Sequence, residues 1–350
     1  MLKGVGKIGL LLVLLALGQD VSRRGPQEPL LDPREGRHLQ NLRQLTFGGS
    51  NAEAYFSWDG RQLIFQSTRD RYACDQIFTM KTDGSGLRLV STGLGRTTCS
   101  FFLPGDQRFI YASTHRRDPA CPPMPDRSKG YVWALHDYDI YIANIDGTGL
   151  TRLTDHPRYD AEGAVSPDGK TVVFTSLRDG DLDIYTMDTT GGNLRRLTRG
   201  KGYEGGPFFS WDGKKIVYRA YYPQTGQEME EYERLLADGL VRPHRAEIFV
   251  MDADGWHPQQ LTRNGAANWA PAFHPNGRQI IFASNLHAPG TRNFDLYLIN
   301  IDGTGLTRIT FGGFNSFPFF SPDGTRLVFS SDRFARGPRE FNVFLADWVP

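Results

Sequence analysis

The sequence predicts an all-β fold, a six-bladed β-propeller of four-stranded antiparallel blades whose ring is closed by an N-terminal strand. Two observations predict it. A unit of about 45 residues recurs along the chain. Each copy alternates Asp-Gly or Asn-Gly turns with short β-branched and aromatic runs. One four-stranded unit cannot bury both of its faces, so radial stacking of the copies is expected.

The copy with the clearest pattern spans residues 159–198. A Ser166-Pro167-Asp168-Gly169 turn leads into an apolar strand around Val173, a third strand follows around Tyr185, and the copy ends with Arg196-Leu197-Thr198. Asp-Gly supplies the positive φ that a tight hairpin turn requires. The equivalent turn recurs at residues 57–60, 210–213, 274–277 and 321–324, whereas the second copy has Leu-Pro-Gly-Asp at residues 103–106.

The two ends of the repeat region complement each other. The sixth copy stops after its third strand, at the end of the chain. Residues 42–49 closely match residues 306–313, which read as the fourth strand of the fifth copy. We therefore expect the N-terminal segment to complete the sixth blade, and this favours six blades over seven.

Residues 1–18 have the features of a secretory signal peptide. Lys3 and Lys7 precede an apolar run at residues 8–17, and small residues flank a possible cleavage site after Gly18. The run is short for a bilayer-spanning helix, although an uncleaved anchor is the alternative. We expect a signal peptide at 1–18, a polar linker at 19–40 and the propeller at 41–350. No transmembrane span is expected after cleavage, and the location is periplasmic or secreted.

Charge and motifs exclude several classes of protein. The chain has 40 basic and 39 acidic residues, so it lacks the basic excess of nucleic-acid-binding proteins. It contains no phosphate-binding loop and no serine with the Gly-x-Ser-x-Gly flanks of a serine hydrolase. We expect a monomer with no nucleic-acid partner and no cofactor.

Three cysteines fall on one face of the predicted ring. Export permits disulfides, and one bond plus one free thiol is the simplest arrangement. The predicted pair is Cys74 with Cys99. A metal or thiol site built from His115, Cys99 and Cys121 is the alternative.

Two insertions interrupt the repeat between second and third strands. One occupies residues 117–137 of the second copy, and the other occupies residues 222–245 of the fourth. The centre of the second insertion, residues 228–236, has helical composition and spacing. Both insertions should lie on the same face and flank the third blade. Decorated loops on a rigid scaffold commonly carry function, although neutral loop growth is the alternative.

Polar residues gather where the inner strands begin and the second strands end, at the predicted channel mouth. Asp160 and Glu162 stand two residues apart, so on a regular strand both would point to one side. Such a ring of carboxylates, amides, histidines and arginines could bind a polar ligand, a cation or a partner's segment, although a merely solvated channel would also be polar. The candidate site residues are Asn51, Glu53, Asp160, Glu162, Glu204, Asn268, His115, Arg178, Arg219 and His287.

The succession of a Ser-Pro-Asp-Gly turn, an apolar strand, Asp183-Ile184-Tyr185-Thr186-Met187-Asp188 and Arg-Leu-Thr resembles the repeat of TolB-type propellers. These are periplasmic six-bladed domains of the Tol-Pal envelope system, and the resemblance covers about residues 41–350. It implies an exported, non-catalytic binding module that contacts an envelope protein or peptide through the channel-mouth face. TolB carries an α/β domain before its propeller. Only residues 19–40 separate the predicted signal from the blades, so we expect a TolB-type propeller without that domain.

Two alternatives to the binding module stay open. One is a propeller enzyme, a lyase or hydrolase that uses the polar channel residues. The other is a binder of a small ligand or cation, with a divalent cation in the channel. No residue spacing in the chain specifies a reaction, and fold analogy cannot supply one.

Overall fold

A computed structural model describes residues 31–350. The predicted signal peptide and residues 19–30 of the predicted linker lie outside the described residues, so these assignments stay predictions. Residues 31–350 form six four-stranded antiparallel sheets, which are the blades of a β-propeller. The inner strands of neighbouring blades contact each other around a central channel. The predicted fold class is confirmed.

The strands follow the chain order from blade to blade. β1 (Leu39–Gln44) comes first and belongs to blade 6. Blade 1 contains β2 (Ser50–Phe56), β3 (Gln62–Thr68), β4 (Gln76–Lys81) and β5 (Arg88–Leu89). Blade 2 contains β6 (Thr97–Phe102), β7 (Arg108–Ser113), β9 (Asp139–Asn144) and β10 (Thr151–Arg152), with the short β8 (Trp133–Ala134) inserted before β9. Blade 3 contains β11 (Asp160–Val165), β12 (Thr171–Ser176), β13 (Asp183–Asp188) and β14 (Arg195–Arg196).

The second half of the ring repeats this order. Blade 4 contains β15 (Tyr203–Phe209), β16 (Lys215–Tyr221), β18 (Glu247–Asp252) and β19 (Gln259–Gln260), with helix α1 (Gly226–Ala237) and β17 (Leu240–Val241) inserted before β18. Blade 5 contains β20 (Asn268–Phe273), β21 (Gln279–Ser284), β22 (Asp295–Asn300) and β23 (Thr307–Arg308). Blade 6 contains β24 (Asn315–Phe320), β25 (Arg326–Ser331) and β26 (Asn342–Trp348), completed by β1.

The N-terminal strand closes the ring as predicted. β1 pairs antiparallel with β26, from Leu39 opposite Trp348 to Gln44 opposite Phe344. Regular structure is already present before residue 41, because residues Glu35–Arg37 form a 3-10 turn. Glu35 is buried there and pairs with Arg333 of blade 6 at 3.0 Å. The last part of the predicted linker is therefore packed against the sixth blade.

Each blade buries one aromatic side chain from its second strand. These six side chains are at most 1% exposed, namely Phe65, Tyr111, Phe174, Tyr218, Phe282 and Phe329. Each contributes roughly 1.5–3 kcal/mol of hydrophobic burial, so this layer of the core is shared equally around the ring. The turns are stabilised locally. In the turn of blade 3, the Ser166 hydroxyl donates to Asp168 at 2.6 Å and Gly169 adopts φ +73°.

The two insertions meet above the ring. β8 in the first pairs antiparallel with β17 in the second, and Lys129 pairs with Asp238 at 2.6 Å. Helix α1, which starts after the N-cap residue Thr225, confirms the predicted helical segment. We call residues 117–137 and 222–245 together the cap. No helix in residues 31–350 is long and apolar enough to cross a membrane.

Candidate functional site

A cavity of about 350 Å³ lies in the channel beneath the cap. Its walls come from the inner strands, and every inner strand has a register shift at the same place. The residue at each shift has a positive φ of 50–59°, and all six such residues line the cavity: Glu53, Cys99, Glu162, Gly206, Ala270 and Phe317. We call them the bulge residues. Each blade thus presents one residue to the cavity.

The bulges are costly for most of these residue types. A left-handed backbone is natural for Gly206 but costs a residue with a Cβ roughly 1–2 kcal/mol. Backbone strain of this kind persists where the surrounding structure enforces it, often at ligand sites. The bulges therefore mark the cavity as the place to look for function.

Glu162 and Arg219 form the most enclosed ion pair of the cavity. The Glu162 carboxylate accepts hydrogen bonds from an Arg219 Nη2, from the Gly206 N–H at 2.6 Å and from the Thr175 hydroxyl at 2.8 Å. The Arg219 guanidinium also donates to the Tyr203 hydroxyl. Burial opposes the charge of Arg219, but Glu162 and Tyr203 outweigh it and raise the pKa of Arg219. Arg219 is therefore a permanent cation.

Glu53 is a cavity carboxyl without an ion-pair partner. No Lys, Arg or His whose side chain the structure describes lies within 4.0 Å of its carboxyl oxygens. Burial raises the pKa of Glu53 to about 7, against a hydrogen bond from Cys99 and assisted by the negative charge of Glu162. Burial likewise raises the pKa of the Cys99 thiol. Near neutral pH, Glu53 exchanges a proton inside the cavity.

A second ion pair lies where the cavity meets the cap. Arg96 pairs with Asp75 at 2.9 Å, and Arg96 also reaches the Met124 sulfur of the cap at 3.6 Å. His136 of the cap lines the same region. Burial, followed by the nearby charge of Arg96, lowers the pKa of His136, so this side chain is neutral at neutral pH.

Four aromatic rings close the channel on the side away from the cap. Tyr55, Phe101, Phe208 and Phe319 come from blades 1, 2, 4 and 6, and every pair of them is in ring contact at 5.1–5.9 Å between centroids. Rings from four blades can all touch one another only on the channel axis. These four rings therefore block the channel at that end of the cavity.

Three aromatic side chains cover the cavity on the cap side. Trp133 of β8 lies 5.5 Å from Trp269 of blade 5, and Tyr131 lies 6.3 Å from Trp269, between ring centroids. We call Tyr131, Trp133 and Trp269 the aromatic wall. Tyr131 is 45% exposed and Met124 is 61% exposed although both line the cavity, so the cap edge at these residues is the entrance.

Comparison with known proteins agrees with this architecture. The family model of the TolB beta propeller domain, PD40, matches residues 124–234, which include all of blade 3. This chain contains a TolB-like propeller. No curated protein matches the chain in sequence.

Solved structures share the fold over most of the chain. A protein described as a TolB from Agrobacterium tumefaciens is 19% identical with a TM-score of 0.60, over 88% of this chain and 94% of that chain. TolB from Acinetobacter baumannii is 18% identical with a TM-score of 0.58, over 77% of this chain and 57% of its own. An oligogalacturonate lyase in complex with manganese is 11% identical with a TM-score of 0.52, over 89% and 96%. At these identities the likeness shows the fold alone.

Only three of the ten predicted site residues line the cavity of this TolB-like propeller, namely Glu53, Glu162 and Arg219. Asp160 is fully buried outside it and pairs with Arg178 at 2.9 Å. The expectation that Asp160 and Glu162 point to the same side is wrong, because the bulge adds a residue between them and breaks the strand alternation.

The remaining residues of the prediction belong to the blades themselves. Asn51 and Asn268 are fully buried and donate to main-chain carbonyls of the preceding blade at 2.7 Å. Glu204 is buried at the same position of blade 4 and accepts from the Tyr222 hydroxyl. His115 bonds to Ser113 at 2.8 Å, and His287 contacts Asp295 at 3.3 Å, both within their own blades. None of these side chains lines the cavity, and a role for them in binding a partner stays a prediction.

The sequence reasoning missed the aromatic wall and the Asp75–Arg96 pair. Trp269 stands directly before the bulge residue Ala270, and Trp133 sits within the first insertion. Aligning the six copies would mark the residue two places after Asn51 and its equivalents, but that position holds Glu, Cys, Gly, Ala and Phe. Residue type alone gives no signal there.

The predicted disulfide is also wrong. Cys74 bonds to Cys121, with 5.6 Å between their Cα atoms, and Cys99 is free. The bulge of β6 turns Cys99 into the cavity, while Cys121 of the cap lies beside the loop that carries Cys74. The bond ties the cap to blade 1, and it also removes Cys121 from the alternative site with His115 and Cys99.

Metal ligands are not clustered in this part of the chain. Residues 31–350 contain no group of three or more His, Cys, Asp or Glu side chains arranged to hold a metal ion. A divalent cation in the channel stays a prediction.

Proposed function

We propose that this TolB-like propeller is an exported, non-catalytic binding module that holds a segment of an envelope protein or a peptide in the cavity beneath the cap. The observation that carries the proposal is the cavity itself, which is charged, roofed by the first insertion, whose β8 pairs with β17 of the second, and closed below by aromatic rings. A ligand would enter at the cap edge beside Met124 and Tyr131.

Three features support this reading. The volume of about 350 Å³ suits a small ligand or a few residues of a peptide. The Glu162–Arg219 and Asp75–Arg96 pairs are held in place by further hydrogen bonds, as preorganised binding groups are. The Cys74–Cys121 bond suits an oxidising compartment outside the cytoplasm.

A propeller enzyme is the second candidate, and one observation favours it. Glu53 has a pKa of about 7, which suits a carboxyl that gives and takes protons in a reaction. Turnover of acidic oligosaccharides or peptides by the purified protein, lost in Glu53→Gln, would favour this candidate over a binding module.

The proposal is tested by filling the cavity. The substitution Ala270→Phe adds a ring at a position whose backbone φ is 50°, and blade 6 already holds Phe317 at the equivalent position with φ 53°. We expect wild-type protein to capture a specific protein or peptide from the native envelope fraction, and we expect Ala270→Phe to lose it at unchanged melting temperature. Trp256→Ala, which alters a side chain 69% exposed on the outer part of blade 4, is the matched control and should capture normally. Equal capture by Ala270→Phe would contradict the proposal.

A further inference from the structure

We propose that the ligand of the cavity presents a protonated primary amine, which pairs with the Glu53 carboxylate beside the aromatic wall. This inference rests on the proposed function and names the chemical class of its ligand. It starts from the balance of charge inside the cavity.

Three carboxylates line the cavity, and two of them are already paired. Glu162 pairs with Arg219, and Asp75 pairs with Arg96. Among the side chains that the structure describes, no basic group lies within 4.0 Å of Glu53. The third arginine that lines the cavity, Arg292, is exposed at the rim, with its guanidinium carbon 5.4 Å from the Tyr131 ring centroid. One half-buried cavity carboxyl is therefore left without an ion-pair partner among these side chains.

The groups that face Glu53 make a cation the favoured addition. They are the Cys99 thiol, the Glu162 and Asp75 carboxylates and the Arg219 guanidinium, and burial is the largest influence on Glu53. Arg219 is committed to Glu162 and Tyr203. An incoming ammonium would supply the missing positive charge and donate hydrogen bonds to the carboxylate. Hydrogen bonds between two charged groups are stronger than those between neutral groups.

The aromatic wall adds to this preference. The faces of Trp and Tyr rings carry partial negative charge and attract cations. Trp133 already holds one, because the Arg219 guanidinium lies 5.1 Å from its ring centroid. Trp269 is fixed by stacking on Phe294 at 3.9 Å and by a 2.7 Å hydrogen bond from its indole N–H to the Ser316 hydroxyl. Trp269 is therefore held in place by contacts that do not depend on a ligand.

An amine of this size could come from two sources, a free small amine or the amino end of a peptide. Two probe pairs distinguish them. The first pair is 2-phenylethylamine and its uncharged analogue 2-phenylethanol. The second is glycyl-phenylalanine amide with a free amino terminus and the same compound N-acetylated. Binding of all four is measured by isothermal titration calorimetry at pH 7 with full-length mature protein.

We expect at least one amine to bind ten-fold or more tightly than its uncharged partner. Glu53→Gln should abolish that preference, and Ala270→Phe should abolish binding of both members of the pair. Glu230→Gln, the same carboxyl-to-amide change at an exposed position of helix α1, is the matched control and should leave the preference unchanged. A preference confined to the dipeptide would assign the amine to a peptide end, and one confined to 2-phenylethylamine would assign it to a small ligand.

The pH dependence gives a second readout. Glu53 has a pKa of about 7, so its ionised fraction rises from about one tenth at pH 6 to about nine tenths at pH 8. The affinity for 2-phenylethylamine, which stays protonated over this range, should rise about ten-fold between these values in wild type. It should stay flat in Glu53→Gln.

The results distinguish failure of the amine inference from failure of the proposed binding function. Equal binding of charged and uncharged probes, or an amine preference that survives Glu53→Gln, overturns this inference while cavity binding stands. Absence of binding by both amines, together with envelope capture that depends on an open cavity, also overturns the inference and leaves the proposed function intact. Capture that does not depend on the cavity overturns the proposed function itself.

Discussion

Two sets of inner-strand residues lie only two positions apart and differ in what surrounds them. The residues near the start of the inner strands, such as Asn51 and Asp160, are fully buried; Asn51 bonds to the preceding blade and Asp160 pairs with Arg178 of its own blade. The bulge residues that follow, such as Glu53 and Glu162, line the cavity. Both sets contain carboxylates, so polarity does not separate a structural position from a ligand-facing one. The extra residue of the bulge separates them, because it turns the next side chain towards the channel axis.

The largest expected effect concerns blade 6, where β1 from the N-terminal part of the chain pairs with β26 from the C-terminal part. Deleting residues 41–47 removes most of β1 with Leu42, and also Leu45 just after it; the two side chains are 4% and 8% exposed. The lost burial is worth about 3–6 kcal/mol, and the melting temperature should fall by roughly 5–10 °C. Differential scanning calorimetry measures this. An unchanged melting temperature of the deletion variant would show that the pairing of β1 with β26 contributes little to stability.

The next effect separates the cap from the ring. Replacing Cys74 and Cys121 together by serine opens a loop of sequence separation 47 and should cost about 2–4 kcal/mol. Protease should cut the cap between residues 117 and 137 faster, while the blades stay resistant. Cys99→Ser, which breaks no disulfide, is the control and should be cut like wild type. Equal cutting of the double variant and wild type would contradict the role of this bond in holding the cap.

A direct comparison of the two sets uses Asp160. Asp160→Ala leaves the Arg178 guanidinium, which is 16% exposed, without its carboxylate partner in blade 3. We expect a loss of about 2–4 kcal/mol in urea unfolding, with the affinity of the cavity for its ligand unchanged in the folded protein. A large loss of affinity at unchanged stability would instead place Asp160 in the binding site.

The smallest effect is the pH dependence that Glu53 gives to the free energy of unfolding. Folding raises the pKa of Glu53 from 4.5 to about 7, so the folded protein holds more protons than the unfolded chain between these values. The contribution of Glu53 to stability is therefore present below pH 4.5 and is lost as the pH rises through 7. Glu53→Gln removes this loss and should gain about 1–3 kcal/mol relative to wild type on going from pH 5 to pH 8, in urea unfolding at both values.

A matched control for this prediction is Glu230→Gln on the exposed face of α1, which should keep the pH dependence of wild type. Glu53→Gln with the same pH dependence as wild type would show that Glu53 is solvated or paired in the folded protein. Glu53 would then not differ from Asp160 in lacking a charged or solvent partner.

The sequence was sufficient for the blade count, the closing strand and the two insertions on one face. Each of these depends on patterns that repeat or on neighbours in the chain, such as the Asp168-Gly169 turn or the match between residues 42–49 and 306–313. The helical segment of the second insertion was predicted for the same reason, because its spacing and composition are local.

The candidate site was predicted only in part. Glu53, Glu162 and Arg219 were identified because they are polar residues at the right end of their strands. Asn51, Asp160 and Asn268 were selected for the same reason but do not line the cavity, because a bulge follows them in every inner strand. A bulge residue at positive φ can be Glu, Cys, Ala or Phe, so the residue type does not predict where a bulge lies.

The amino-acid sequence by itself determined the architecture of this TolB-like propeller, because hairpin turns and half-buried strands follow from local backbone preference and apolar patterning. Only the tertiary structure decided which polar side chains face the cavity, which cysteines pair and how the two insertions join into one cap. Those outcomes depend on distances between residues of different blades, such as Cys74 and Cys121 or Trp133 and Trp269. The closed ring sets such distances, and no stretch of the chain encodes them alone.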